Sequence, residues 1–176
     1  TSGAIRQQFG LTEPICGRLM EPCIYDDGIE LDWNAYVQCA VEPEFVLQIQ
    51  QDVPHDVVDE RELIDVIGWV APGIEVHHFK FWFGDPTSQE LILSNGIHAA
   101  LVVGSSRRTP ESIAFKTQRV DVFREEQLAA SGFGADIMGG PLTSLRWLIR
   151  HLAERGEYLR AGQLVIPGSP VELVAV

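Results

Sequence analysis

The sequence predicts one domain of the α+β class. Strand-like patterns outnumber helix-like patterns, and the two do not alternate regularly along the chain as they would in a parallel α/β fold. The chain has 176 residues, of which 45% are hydrophobic, and this length and composition suit a single domain that buries its own core. We therefore expect residues 1–176 to form one folded unit without an internal repeat or a linker.

The first 40 residues have an irregular pattern, and the residues that follow them have the patterns of regular secondary structure. Residues 1–40 are punctuated by glycine and proline and are expected to be irregular. Residues 41–49 alternate between two faces, which predicts a strand. Residues 58–68 carry apolar side chains at helical spacing and predict a short helix. A Pro-Gly pair at 72–73 is expected to open a second strand over residues 74–79.

Two helices are predicted in the second half of the chain. Thr87 and Glu90 have the spacing of a capping box, so a short helix is expected to follow them and to end near Gly96. A longer helix is predicted from Pro141 to Gly156. Proline suits its first turn, leucine and isoleucine recur at helical spacing within it, and glycine ends the pattern.

Three further segments of the second half have strand patterns. Residues 99–103 are continuously apolar, and we expect a buried strand there. Residues 111–124 alternate over a long stretch, which predicts one extended or bent strand. A last strand is predicted at residues 163–166, just before a Gly-Ser-Pro turn. These segments make strands the majority of the predicted elements.

The charge balance narrows the classes of partner. Thirteen basic residues stand against 25 acidic ones, a formal net charge of -12, and only Lys80 and Lys116 are lysines. This balance argues against nucleic acid or an anionic membrane surface and favours a cation. No apolar run approaches the roughly 18 residues of a membrane span, and no secretion signal is visible. The three cysteines lack metal-type spacing, so we expect reduced thiols in a cytoplasmic protein.

Three glutamates on the first two predicted strands are the candidates for a functional site. Glu42 and Glu44 are two residues apart, so their side chains point to the same face, roughly 6–7 Å apart. Pro43 cannot donate to a ladder, which indicates a strand start or edge. If the strand of Glu75 is a neighbour, three carboxylates converge and suit a hard cation, Mg²⁺ first, with Mn²⁺ or Ca²⁺ as substitutes. The alternative is a solvated face of an antiparallel sheet.

Longer motifs point to a known family. The segments GLTEPICGRLMEP, VEPEFVLQI and VAPGIEV occur in this order, followed by a block from ELILSNGIHAALVVG to GGPLTSLRWLIRHLAERGEYLRAGQLVIPGSP. Over nearly the whole chain this resembles the 2-keto-4-pentenoate hydratase / 2-oxohepta-3-ene-1,7-dioate hydratase / 4-oxalocrotonate decarboxylase group of the fumarylacetoacetate hydrolase superfamily. The resemblance implies a mixed β-sheet roll or sandwich with a few flanking helices.

The resemblance also implies a chemistry. Glu42, Glu44 and Glu75 match the family's Mg²⁺ ligands. Asn95 remains from the family's ADNAS segment and Ser169 resembles a position near the substrate, so both are candidates for substrate binding. In the family the ion holds the carboxylate and 2-oxo oxygens of a small 2-oxo or 2-hydroxydienoate acid and assists its enolisation. We therefore expect a divalent-metal-dependent lyase of the hydratase type.

Several positions depart from the family pattern. Ile15 stands where the hydratases often have an acidic residue, and His77-His78-Phe79 replace a DSR segment. Strand parity places His77 on the face of Glu75, so His77 is the candidate acid/base that moves protons. The alternative for this residue is a half-buried histidine satisfied by a backbone carbonyl.

These departures leave other functions open. One is a decarboxylase or an acylpyruvate C–C hydrolase of the same superfamily, and another is a non-catalytic, metal-retaining member that acts as a partner subunit. The family's lysine in a GYKIG segment would precede Thr1-Ser2. We therefore expect a missing N-terminal segment, or a second chain of the same protein, to pack against residues 1–40. Family likeness further implies a homo-oligomer.

Overall fold

A mixed β-sheet forms the centre of the molecule. The computed structural model describes residues 6–7, 9–53, 59–80 and 84–176. The expectations that fall on Thr1-Ser2 and Val58 lie outside these residues. The described elements are the strands β1 (Ile24–Asp26), β2 (Cys39–Ile49), β3 (Ile67–His78), β4 (His98–Val103), β5 (Arg119–Arg124), β6 (Gln127–Phe133), β7 (Leu164–Val165) and β8 (Val174–Ala175), and the helices α1 (Glu60–Asp65), α2 (Ser88–Leu93) and α3 (Pro141–Ala153).

The strand order in the main sheet is β1-β4-β3-β2-β7, and β8 also pairs with β2. Strands β1 and β4 run parallel, whereas β4, β3, β2 and the two short C-terminal strands pair antiparallel. Strands β5 and β6 form a separate antiparallel hairpin. The predicted α+β class is confirmed, since a mixed sheet carries only a few helices.

The long strand β2 separates the apolar core from the acidic face. Phe45, Leu47 and Ile49 point to one side and belong to the largest buried cluster, which also contains Leu145 and Ile149 of α3. The even-numbered residues of β2 point to the opposite side, because successive side chains of a strand alternate. This alternation places the glutamates of β2 on the face away from α3.

The two helices predicted in the second half are confirmed. The side chain of Thr87 accepts a hydrogen bond from the amide of Glu90, and Glu90 returns one to the amide of Thr87, so the capping box precedes α2. Helix α3 begins at Pro141, as predicted, and ends three residues before Gly156. Its buried face packs against β2, so this helix fixes the position of the strand that carries the glutamates.

The second strand is much longer than predicted. Strand β3 begins at Ile67, not at residue 74, and the preceding helix is correspondingly shorter than the predicted 58–68. Pairing with β2 from Ile49 onward overrides the local helical spacing. The Pro-Gly pair lies inside the strand, where the ladder to β4 starts at Gly73 and the carbonyl of Pro72 accepts a hydrogen bond from Gly104.

Three other predictions of regular structure need correction. Residues 111–124 are not one strand: a 3₁₀ turn covers Pro110–Ser112, and only β5 is extended. The partner strand β6 was not predicted. The two residues that connect it to β5, Glu125 and Glu126, are not a typical hairpin turn sequence such as Asn-Gly. Residues 1–40 are not wholly irregular, since β1 pairs with β4 there. The predicted strands at 99–103 and 163–166 are present as β4 and β7.

Within the described part of the chain, every helix is too short or too polar to cross a bilayer. The longest of them, α3, has 13 residues.

Leu47 provides a test of how strongly the core fixes β2. Its side chain is fully buried, so Leu47→Ala should lower the free energy of unfolding by about 2–5 kcal/mol in urea denaturation. Leu93 is 86% exposed, and Leu93→Ala as the matched control should change it by no more than about 0.5 kcal/mol. Equal effects of the two substitutions would contradict this assignment of the core.

Candidate metal centre

The pairing of β2 with β3 brings two of the predicted glutamates directly opposite each other. Glu42 is the register partner of Glu75, and Glu44 lies opposite Gly73. All three glutamates are at least nine-tenths buried. Residues directly opposite in an antiparallel pair share a face, so the three carboxylates do converge. The alternative of a solvated face is therefore wrong.

The sequence predicts that Pro43 lies at the start or at the edge of a strand. The start is wrong, because Pro43 lies inside β2. The edge alternative fits the structure better. On the side of β2 away from β3, β8 pairs with Ala40 and Val41, and β7 pairs with Leu47 and Gln48. Between these two short ladders no third strand of the described residues pairs with β2. A proline is tolerated at such an unpaired edge because its missing N–H breaks no ladder there.

His77 lies against both paired glutamates, as strand parity predicts. Its Nε2 is 3.0 Å from Oε2 of Glu42 and 3.6 Å from Oε2 of Glu75, and its side chain is buried. Burial lowers the pKa of His77, but the hydrogen bond to Glu42 and the charges of Glu75 and Glu42 outweigh this, so the pKa is raised. The imidazole of His77 therefore holds a proton more strongly than a free histidine.

A second histidine, His98, was missed by the sequence reasoning. Its Nδ1 is 2.7 Å from Oε1 of Glu75, and only 5% of its side chain is exposed. A β-bulge between Val76 and His77 shifts the register of β3 against β4, so that His77 pairs with His98. Parity within one strand cannot reveal a bulge, and no signal in the sequence marked this contact.

Glu44 is held by a backbone amide from the C-terminal loop. The N–H of Gly168 donates to Oε2 of Glu44 over 3.0 Å. Gly168 has φ of 117°, a conformation that favours glycine, and the hydroxyl of Ser144 on α3 donates to the carbonyl of Pro167 beside it. Burial, then the charges of Glu75 and Glu42, raise the pKa of Glu44 well above its usual range.

The donor set of these residues fits a divalent cation. One candidate ligand atom each from Glu42, Glu75 and His77 lies within 4.8 Å of the others. Glu44 is outside this tightest group, although the charges of Glu75 and Glu42 raise its pKa. Oε1 of Glu42 is buried and has no hydrogen-bond partner among the described residues. Burying a carboxylate oxygen without a hydrogen-bond donor is costly unless a cation binds to it. The unpartnered oxygen of Glu42 therefore favours a metal ion beside it.

The cluster lies in a cleft of about 1070 Å³, which is also lined by Asn95, Ser169 and Ile15. The side chain of Asn95 is engaged by the neighbouring loop: Oδ1 accepts from the amide of Arg18 over 2.6 Å, and Nδ2 donates to the carbonyl of Arg18 over 2.9 Å. Ser169 is buried, and its Oγ accepts from the amide of Val171. Both residues therefore border the cleft. The two hydrogen bonds of Asn95 hold the backbone of Arg18, which also lines the cleft.

Curated proteins similar to this chain are hydratases and decarboxylases. No family model matches the chain. It is 25% identical over 176 residues to the 2-keto-4-pentenoate hydratase of Paraburkholderia xenovorans, covering 100% of the chain and 65% of that protein. It is 30% identical over 181 residues to the 4-oxalocrotonate decarboxylase of a Pseudomonas species, again over 100% of the chain and 68% of the relative. The chain thus spans about two thirds of the length of these relatives.

Solved structures agree with the sequence comparison. The 4-oxalocrotonate decarboxylase of Pseudomonas putida G7, complexed with magnesium and adipate, matches with a TM-score of 0.91 and 25% identity, over 100% of this chain and 67% of that one. A fumarylpyruvate hydrolase of Pseudomonas aeruginosa, in complex with Mn²⁺ and pyruvate, matches with a TM-score of 0.58 and 14% identity, over 87% and 64%. The second match supports the fold alone. The expected superfamily fold is confirmed.

The two hydrogen bonds of Asn95 should fix the wall of the cleft. Asn95→Ala removes both, and a typical hydrogen bond contributes about 0.5–1.5 kcal/mol, so hydrogen exchange of the Arg18 amide should rise by up to about tenfold. Asn34→Ala, which removes a local contact to Asp32, is the matched control and should leave Arg18 unchanged. Unaltered exchange at Arg18 in Asn95→Ala would contradict this role.

Proposed function

This chain belongs to the 2-keto-4-pentenoate hydratase / 4-oxalocrotonate decarboxylase group of the fumarylacetoacetate hydrolase superfamily, and on that premise we propose that it is a divalent-metal-dependent lyase of the hydratase type. The observation that carries the proposal is the buried convergence of Glu42, Glu44 and Glu75 on one face of the β2–β3 ladder. These three residues are the proposed ligands, with Mg²⁺ as the proposed ion and Mn²⁺ or Ca²⁺ as substitutes.

The charges around the three glutamates support this assignment. Among the ion pairs of the described residues, only His77 and His98 pair with Glu42 and Glu75, and no lysine or arginine does. Burying several carboxylates without compensation is costly. A divalent ion supplies the missing positive charge, and Mg²⁺ prefers carboxylate oxygens to other protein ligands.

The proposed substrate is a small 2-oxo or 2-hydroxydienoate acid. When bound, a divalent ion acts as a Lewis acid on the 2-oxo group of such a substrate. The chain supplies the surroundings: Ile15 and the apolar residues near it form a wall of the cleft, while Asn95 and Ser169 border the proposed substrate. His77 is the proposed proton carrier, because its buried ring lies 3.0 Å from Glu42 and 3.6 Å from Glu75 and so faces the cluster.

Two alternatives stay open at the level of the reaction. The first is decarboxylation, which the similarity to 4-oxalocrotonate decarboxylases supports as strongly as hydration. The second is C–C hydrolysis of an acylpyruvate. Ile15 in place of an acidic residue and the loss of the DSR segment favour these other reactions, or a non-catalytic partner subunit, over hydration. That an N-terminal segment or a second chain packs against residues 1–40, and that the protein forms a homo-oligomer, stay predictions.

Titration of Mg²⁺ into the metal-stripped protein tests the ligands. Loss of a residue that only hydrogen-bonds a metal ligand usually weakens metal binding by about 10–100-fold, or about 1.4–2.8 kcal/mol. We expect Glu42→Gln and Glu44→Gln, which change the ligands themselves, each to weaken Mg²⁺ binding by at least that much. Glu90→Gln is the matched control, because Glu90 is an exposed carboxylate of the capping box and glutamine also suits that motif. Unchanged binding in Glu44→Gln would remove Glu44 from the ligands, and unchanged binding in Glu42→Gln would reject the site.

Solvent deuterium exchange at C3 of simple 2-oxo acids, followed by proton NMR, tests the chemistry. Exchange should require Mg²⁺ and should fall by about 10²-fold or more in His77→Gln, the usual scale for a general acid/base. The control is His78→Gln, since His78 faces the other way and accepts from the amide of Val37.

The outcomes of this assay separate the alternatives. Exchange in the wild type that survives His77→Gln would keep the lyase and remove His77 from its mechanism. Proven metal binding without exchange of any 2-oxo acid would instead favour the non-catalytic partner subunit.

A further inference from the structure

Glu75 is a carboxylate with one oxygen already engaged by the protein. Nδ1 of His98 lies 2.7 Å from Oε1, and both side chains are buried. A carboxylate that holds a cation is ionised and only accepts, so in the proposed metal site Nδ1 of His98 is the donor of this hydrogen bond. Nε2 of His98 has no hydrogen-bond partner among the described residues, so the contact with Glu75 is the polar contact that fixes the ring.

The second oxygen of Glu75 is turned the other way. Oε2 lies 3.6 Å from Nε2 of His77, on the side of the cluster where Glu42 is also found. The two histidines pair across β3 and β4, so Glu75 lies between two rings on a rigid sheet. Binding of a cation through Oε2 alone would leave the hydrogen bond of Oε1 to His98 as it is, whereas binding through both oxygens would have to share Oε1 between the cation and the imidazole. The hydrogen bond therefore favours binding through a single oxygen of Glu75.

The number of oxygens that a carboxylate offers bears on which ion it holds. Ca²⁺ takes six to eight oxygens and often binds both oxygens of one carboxylate, whereas Mg²⁺ demands near-octahedral geometry and uses single carboxylate oxygens together with water. A rigid one-oxygen carboxylate suits the smaller ion. Hydrogen-bonding partners behind a ligand commonly change its metal affinity by about 10–100-fold.

We propose that His98 is a positioning residue that holds Glu75 as a one-oxygen ligand and thereby biases the site toward Mg²⁺ over Ca²⁺. The inference rests on the metal site of the proposed function, but it adds a residue and a selectivity that this function does not require. The buried, unpartnered Oε1 of Glu42 independently indicates that a cation belongs beside Glu75.

Two substitutions of similar shape separate the hydrogen bond from packing. In His98→Asn the amide nitrogen takes the place of Nδ1 and can still donate to Glu75, whereas His98→Leu keeps the bulk and removes the donor. Mg²⁺ and Ca²⁺ are titrated separately into the metal-stripped proteins by calorimetry. His78→Leu is the matched control for loss of a neighbouring histidine, and thermal denaturation without metal reports on folding.

The ratio of the two affinities is the decisive measurement. We expect His98→Leu to weaken Mg²⁺ binding by about 10–100-fold and Ca²⁺ binding much less, so that the preference for Mg²⁺ falls by about tenfold or more. His98→Asn should stay within about threefold of the wild type for both ions, or about 0.65 kcal/mol. His78→Leu should leave the ratio unchanged.

Other outcomes would overturn the inference and distinguish it from the proposed function. Equal losses of Mg²⁺ and Ca²⁺ in His98→Leu would mean that His98 only supports the fold, and failure of His98→Asn to restore the ratio would exclude its donor as the cause. If Glu42→Gln abolishes Mg²⁺ binding while both His98 variants bind as the wild type does, the metal site stands and the role of His98 fails. If the wild type binds neither ion, both fail.

Discussion

The direct pairing of Glu42 with Glu75 across β2 and β3 is the constraint on which the site depends. Like charges directly opposite in a sheet repel, and burial strengthens the repulsion because the local dielectric is low. Each buried glutamate accordingly has one oxygen held by a donor of the chain: Glu42 by His77, Glu75 by His98, and Glu44 by the amide N–H of Gly168. Oε1 of Glu42 has no such donor among the described residues and is left for a positive charge.

This arrangement couples the site to the core through two opposite faces of one strand. Leu47 on β2 and Leu145 of α3 belong to the same buried cluster on the apolar side, while Glu44 on the other side accepts from the amide of Gly168. Ser144, next to Leu145 on α3, binds the carbonyl just before Gly168. The same helix therefore contributes to the core on one side of the strand that carries Glu44 and to the loop that holds this glutamate.

The part of this site that the sequence could predict is the part that depends on local geometry. The period of two along a strand places Glu42 and Glu44 on one face, and His77 on the face of Glu75, without knowledge of the fold. The contact of His98 depends on a bulge, and that of Gly168 joins residues more than 120 positions apart. Long-range pairing also decided the start of β3, where local helical spacing was misleading.

The cost of this cluster is an argument about function. Replacing buried ionic groups with apolar residues of similar size is often neutral or stabilising, so a fold that needed only stability has no use for three buried glutamates. His77 and His98 offset part of the charge, but Oε1 of Glu42 is still without a partner among the described residues. Local conflicts of this kind are expected at functional sites, where stability is given up for chemistry. The cluster therefore indicates that Glu42 and Glu75 serve a bound cation, because in a fold without one they would be a liability.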